Sequence, residues 1–106
     1  MRLFLYGTLL DPLRMASCAG RPVVLTPARL AGWRRVAMKG GRYPTLVRAR
    51  DAVAGAVATV DAATLRRLMA YEGPQYTFRR LAVATGRGKS VAGVWIARAA
   101  MKRPWF

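Results

Sequence analysis

An α+β fold is what this sequence predicts: a small curled mixed sheet or barrel of about six strands with one principal helix, built from residues 1–106 as a single domain. Three observations carry that expectation. A chain of 106 residues with 54% hydrophobic content holds one core but not two, and it is too apolar for its charge to leave it disordered. Most apolar residues fall in short runs rich in Val, Leu and Ala, divided by Gly and Pro as strands are by turns. Only the segment from Ala62 to Tyr71 sustains a helical period between a cap and a stop.

The elements follow in order. Arg2 to Tyr6 reads as a short buried strand ended by a Gly7-Thr8 turn, and Leu13 to Ala19 as a helical turn. Arg21 to Ala31 and Gly32 to Met38 read as two strands with a bend near Ala31-Gly32, ending in a Lys39-Gly40-Gly41 loop. Tyr43-Pro44 gives a rigid start to a strand reaching about Arg48. From Ala52 to Val60, Val alternates with Ala and Gly, small residues that suit close packing at a barrel bend. Asp61 is placed to cap the helix, and Gly73-Pro74 stops it. Tyr76 to Thr85 and Ser90 to Ala97 form a last strand pair around Gly86-Arg87-Gly88, followed by the tail from Arg98 to Phe106. A small barrel with a helix across its mouth makes a pocket.

The net charge of +15 and pI near 11.8 point first to nucleic acid, an anionic membrane or an acidic partner. Distribution argues against a dedicated phosphate-binding surface. The basic residues are scattered from Arg2 to Arg103, with doublets such as Arg34-Arg35 and Arg66-Arg67 but no longer run. Lysine occurs only at Lys39, Lys89 and Lys102, an arginine skew that resembles coding bias in a GC-rich genome. No specific nucleic-acid partner and no membrane partner is therefore expected. Cys18 is the only cysteine, so no internal disulfide forms and the cytoplasm is the expected location. The apolar run from Leu3 to Leu10 is interrupted by Asp11, Pro12 and Arg14, too early for a signal peptide, and nothing approaches the ~18 apolar residues of a membrane span.

Catalytic candidates are few. The chain has no histidine, and its only acids are Asp11, Asp51, Asp61 and Glu72. Turning the helix by about 100° per residue from Asp61 brings Leu65, Leu68, Met69 and Glu72 onto one face, with Arg66 and Arg67 elsewhere. Glu72 thus closes the last turn on the apolar side. Desolvation, helped by the negative helix end, raises a carboxyl pKa toward neutrality and makes Glu72 a candidate base. A structural glutamate held by a loop N–H or an arginine is the competing reading. Gly7, at the end of a strand, permits positive φ and lets the Tyr6-Gly7-Thr8-Leu9 backbone aim N–H groups into a cavity.

Taken together, the N-terminal Tyr6-Gly7-Thr8-Leu9, the midchain Tyr43-Pro44-Thr45-Leu46-Val47, the Gly55 strand and Glu72-Gly73 with Tyr76 resemble the gamma-glutamylcyclotransferase-like superfamily, including AIG2-like and gamma-glutamylamine cyclotransferase proteins. The resemblance spans residues 2 to about 97. It implies a compact barrel with one cavity and an enzyme that releases 5-oxoproline and an amine from a small gamma-glutamyl compound, without metal or cofactor. It implies Glu72 as general base and Tyr6, Gly7, Thr8 and Leu9, with Tyr43 and Tyr76, as substrate-binding residues. Two positions depart from the pattern: many relatives carry Leu-Asp before the glutamate motif and Tyr-x-Arg after it, where this chain has Leu68-Met69 and Tyr76-Thr77-Phe78. A binding protein on the same fold without turnover, and a basic nucleic-acid-binding module, are the alternatives.

Overall fold

The computed structural model describes residues 1–37, 44–74 and 76–97. The expected loop at Lys39-Gly40-Gly41, Tyr43, and the tail from Arg98 lie outside them. Five strands close into a mixed barrel in the order β1-β3-β2-β4-β5: β1 Arg2–Leu5, β2 Thr26–Ala37, β3 Pro44–Thr59, β4 Tyr76–Thr85 and β5 Gly88–Ala97. Neighbours are antiparallel except β1 and β5, which meet in parallel at Leu3 and Gly93. Two helices, α1 Pro12–Ala19 and α2 Ala62–Glu72, complete the small α+β architecture.

Segments expected as separate strands are joined. β2 runs through the Ala31-Gly32 bend because Gly32, at φ 88°, absorbs a register shift between Ala31 and Trp33 without ending the ladder. Its start is later than expected, at Thr26. β3 continues through Ala49 to Asp51, so a single strand of 16 residues pairs with β2 and also with β1. The helical turn near Leu13 is a complete helix. Asp11 Oδ1 accepts from the Leu13 amide at 3.1 Å, Pro12 opens the first turn, and Gly20 at φ 83° closes the last.

Alternation along β1 divides the core. Phe4 and Tyr6 enter the barrel with Leu30, Trp33, Leu46, Val53, Val94 and Ile96. Leu3 and Leu5 face the other way and pack with Leu9, Met15, Leu68 and Trp95, joining the barrel wall to the helices. Gly55 lies on β3 beside the end of its antiparallel neighbour β1: a Cβ there would run into the Leu5 carbonyl oxygen and come within 2.8 Å of the Phe4 ring. The close packing expected of the small β3 residues is thus a close approach of the β1 backbone and the Phe4 ring to Gly55.

α2 is capped as its sequence predicts. Asp61 Oδ1 accepts from the Thr64 amide at 2.8 Å, and its other oxygen pairs with Arg21. Those bonds, led by the Thr64 amide, hold the Asp61 carboxyl at a pKa of about 2. The buried face keeps Leu65, Leu68 and Glu72 of the expected one but not Met69. Thr64 and Leu68 are buried, Leu65 and Glu72 are partly buried and Met69 is 38% exposed, so the inward direction is rotated from Met69 toward Thr64. Capping draws the first turn against Arg21, whose guanidinium also donates to the Thr64 hydroxyl, while Leu68 packs in the cluster of Leu3 and Leu5.

Candidate active site

The C-terminal end of β1 opens into a cavity of about 140 Å³ lined by residues from six elements. Tyr6 continues β1, and Gly7 leads into a single 3₁₀ turn, Thr8–Leu10, closed by Leu10 N–H donating to the Gly7 carbonyl at 3.0 Å. Opposite stand Tyr71 and Glu72 from the last turn of α2. Pro44 at the start of β3, Tyr76 at the start of β4 and Trp95 on β5 complete the wall.

Glu72 ends its helix because Gly73 follows at φ 85° and turns the chain away, its N–H returning to the Met69 carbonyl at 3.1 Å. The carboxyl is half-buried, and among the described residues neither an ion pair nor a hydrogen bond engages it. Burial lifts its pKa to about 7. Neither the loop N–H nor the arginine of the structural reading appears beside it among those residues. It can exchange a proton near neutral pH.

The tyrosines are tied into the wall. Tyr6 donates its hydroxyl hydrogen to the Trp95 carbonyl, and burial, with Tyr76 next in effect, pushes its ionisation far above the ordinary phenol range. It is neutral and held. Tyr76 donates to the Pro44 carbonyl at 3.1 Å. At the rim, the Thr8 and Tyr71 hydroxyls meet at 2.9 Å, linking the 3₁₀ turn to α2. The amides of Gly7, Thr8 and Leu9 donate to no acceptor among the described residues, while all three residues line the cavity.

Gly7 needs a correction. Its φ is −125°, so positive φ is not the reason for glycine here; a Cβ would instead lie 3.2 Å from Pro44 Cγ across the cavity wall. With ψ at −136° the backbone leaves strand geometry at Gly7 itself and bends into the following turn.

The structure therefore brings Tyr6, Gly7, Thr8, Leu9, Glu72 and Tyr76 onto one cavity, while Tyr43 lies outside the described residues. Sequence reasoning missed Phe4, Leu5, Pro44, Tyr71 and Trp95 as lining residues. Tyr71 was within reach, since a residue three after the buried Leu68 falls about 60° from it on the helix. Trp95 was not: its place depends on how β5 closes against β1. No cluster of His, Cys, Asp and Glu suited to a metal occurs among the described residues.

Comparison with known proteins gives the same architecture. The profile of the family described as gamma-glutamyl cyclotransferase, AIG2-like, matches residues 3–104. The solution structure of At3g28950.1 from Arabidopsis thaliana is similar at 26% identity and a TM-score of 0.82, over 99% of this chain and 68% of that one. A second Arabidopsis thaliana solution structure, At5g39720.1, is also 26% identical, with a TM-score of 0.79 over 98% of this chain and 75% of that one. A solved structure described as a gamma-glutamyl cyclotransferase shares the fold at 19% identity and a TM-score of 0.82, over 92% of this chain and 66% of that one. No curated protein matches the chain.

Proposed function

The chain belongs to the gamma-glutamyl cyclotransferase, AIG2-like family, and on that premise we propose that it converts a small gamma-glutamyl compound to 5-oxoproline and a free amine, with Glu72 as general base. The observation that carries this reading is the Glu72 carboxyl, without a partner among the described residues and with its pKa lifted to about 7, on the same cavity as residues 7–9, whose amides find no acceptor among those residues.

The reaction asks for little covalent chemistry from the protein. Glu72 takes a proton from the substrate's α-ammonium group, and the freed amine attacks the γ-carbonyl of the same molecule. The new C–N bond closes a five-membered lactam. As the old C–N bond breaks, the ring nitrogen gives up its second proton to the departing nitrogen and Glu72 returns the first, so the amine leaves as an ammonium ion, the ring keeps one N–H and Glu72 ends as a carboxylate. A base of pKa about 7 fits this double duty better than one at the ordinary carboxyl value of 4.5, because it both accepts and returns the proton near neutral pH.

The nucleophile is intramolecular, so holding the folded-back glutamyl chain captures a large effective molarity. The hydrophobic wall of Phe4, Leu5, Leu9 and Trp95 excludes water around it. The Gly7 and Thr8 amides supply donors for the oxyanion or for the substrate carboxylate, each well-placed donor being worth roughly 3 kcal/mol in the transition state. Thr8 and Tyr71, joined across the rim, position the turn that carries these amides.

The test is release of 5-oxoproline from a panel of gamma-glutamyl amines and peptides, followed by mass spectrometry, for the wild type and Glu72→Gln. Turnover lost in the variant, with substrate still bound, supports the reading. Equal turnover by both proteins refutes the role of Glu72, and ligand binding without turnover by the wild type assigns the cavity to binding alone.

A further inference from the structure

A second concavity, of about 730 Å³, lies at the other end of β1, where Arg2 pairs with Thr59. Its walls are the 21–26 segment, the β1 and β3 ends, and the β4–β5 turn. Arg2, Arg21, Arg87 and Lys89 line it, all exposed, over a floor that includes Val57 and Val60. The turn carrying Arg87 and Lys89 is ordered by the Thr85 hydroxyl, which accepts from the Arg87 amide at 3.1 Å and donates to the Gly88 carbonyl at 3.2 Å.

Among the described residues, the chain's own carboxylates neutralise only Arg21 of this groove. Of its four acidic side chains, Asp61 pairs with Arg21, Asp51 with Arg34 at 3.5 Å, Asp11 caps α1 and Glu72 lies on the other cavity. Arg2, Arg87 and Lys89 have no anionic partner among the described residues. Three cations around one concave surface call for an anion from outside.

We propose that this groove binds the phosphodiester backbone of a nucleic-acid strand without reading its sequence. No aromatic side chain lines it among the described residues, so it has no platform on which to stack bases. What it offers a strand is cationic groups with Thr26, Thr59 and Ser90 among them, which is the chemistry of phosphate contact. A concave site admits a strand, whereas a planar bilayer reaches only its rim. The scattered arginines elsewhere draw a polyanion toward the molecule, and the groove holds it.

The experiment measures binding of a labelled oligo(dT) and an oligo(A) RNA of about 16 nucleotides by fluorescence anisotropy across a salt series. It compares the wild type with the triple variant Arg2→Gln, Arg87→Gln, Lys89→Gln. An exposed control triple outside the groove, Arg50→Gln, Arg66→Gln, Arg80→Gln, removes the same charge. Melting curves check that each variant is folded. Loss of three phosphate contacts lowers the log–log salt slope by about 2, since each contact on a single strand contributes about 0.7. The groove triple is expected to lose that slope and at least tenfold in affinity, with the control triple close to wild type and both oligonucleotides behaving alike. Equal losses in the two triples would overturn the proposal in favour of diffuse charge. Groove-dependent binding to vesicles of phosphatidylserine and phosphatidylcholine, with no oligonucleotide binding, would overturn it in favour of a membrane.

Discussion

Glu72 concentrates the functional argument in one side chain. A carboxyl whose ordinary pKa of 4.5 is lifted to about 7 in the folded protein keeps a proton there which the unfolded chain has already lost. As pH rises from about 4.5 to 7, stability is therefore lost, and above 7 the penalty is constant. Glu72→Gln removes it. The variant is expected to melt higher than the wild type at pH 8, by on the order of 2 kcal/mol, and to lose that advantage at pH 5. The acid limb of the wild-type kcat/KM profile should inflect near 7 and vanish with the carboxyl. A Gln variant melting below the wild type at pH 8 would mark Glu72 as a stabilising residue and not a base. Gly7 and Thr8 give a second contrast. Gly7→Val puts a branched side chain where even a Cβ lies 3.2 Å from Pro44, and it should raise KM and lower kcat severely. Thr8→Ser keeps the amide and the hydroxyl that meets Tyr71, so its kinetics should be near wild type. Steady-state kinetics on folded variants distinguish the two. Of the sequence departures, Met69 faces solvent, and Phe78 packs against Trp95 with ring centroids 5.1 Å apart.

Elements were legible where one segment carries its own instructions. Asp61 and Gly73 mark both ends of α2, and the Asp11-Pro12 start of α1 carries the same kind of signal for a complete helix. The β2 and β3 joins were not legible. A glycine between two strand-like runs reads as a break, yet Gly32 only shifts the register, because the hydrogen bonds on each side are supplied by the partner strand. The same dependence on a neighbour governs β4 and β5. A Cβ at Gly93 would strike the Phe78 ring, which lies over the backbone where β5 meets β1. Gly93→Ala should cost about 1–3 kcal/mol by overpacking, measured by denaturant unfolding. Phe78→Leu in the same chain should recover part of that loss, giving a coupling that unrelated sites would lack.

At the scale of the whole molecule, a charge of +15 on 106 residues opposes compaction. The described residues hold two ion pairs, Arg21 with Asp61 and Arg34 with Asp51, and two arginines, Arg48 and Arg79, lie over Trp33. Repulsion outweighs such contacts, so Tm should rise as sodium chloride increases from about 20 mM to about 500 mM and the screening length falls below about 5 Å. A falling Tm would mean that the ion pairs dominate. The sequence by itself determined the α+β class, the helix that ends at Glu72, and the two motifs that meet on one cavity, because caps, periodicity and glycine position are local properties. Only the tertiary structure decided that β1 closes the barrel between β3 and β5, and with it that Tyr71 and Trp95 join the wall. It also decided that Gly7 is required for space and not for φ, and that Arg2, Arg87 and Lys89 share a groove. Those facts depend on contacts between residues dozens of positions apart. Chain order does not encode such distances one segment at a time; they arise when every strand has found its partner.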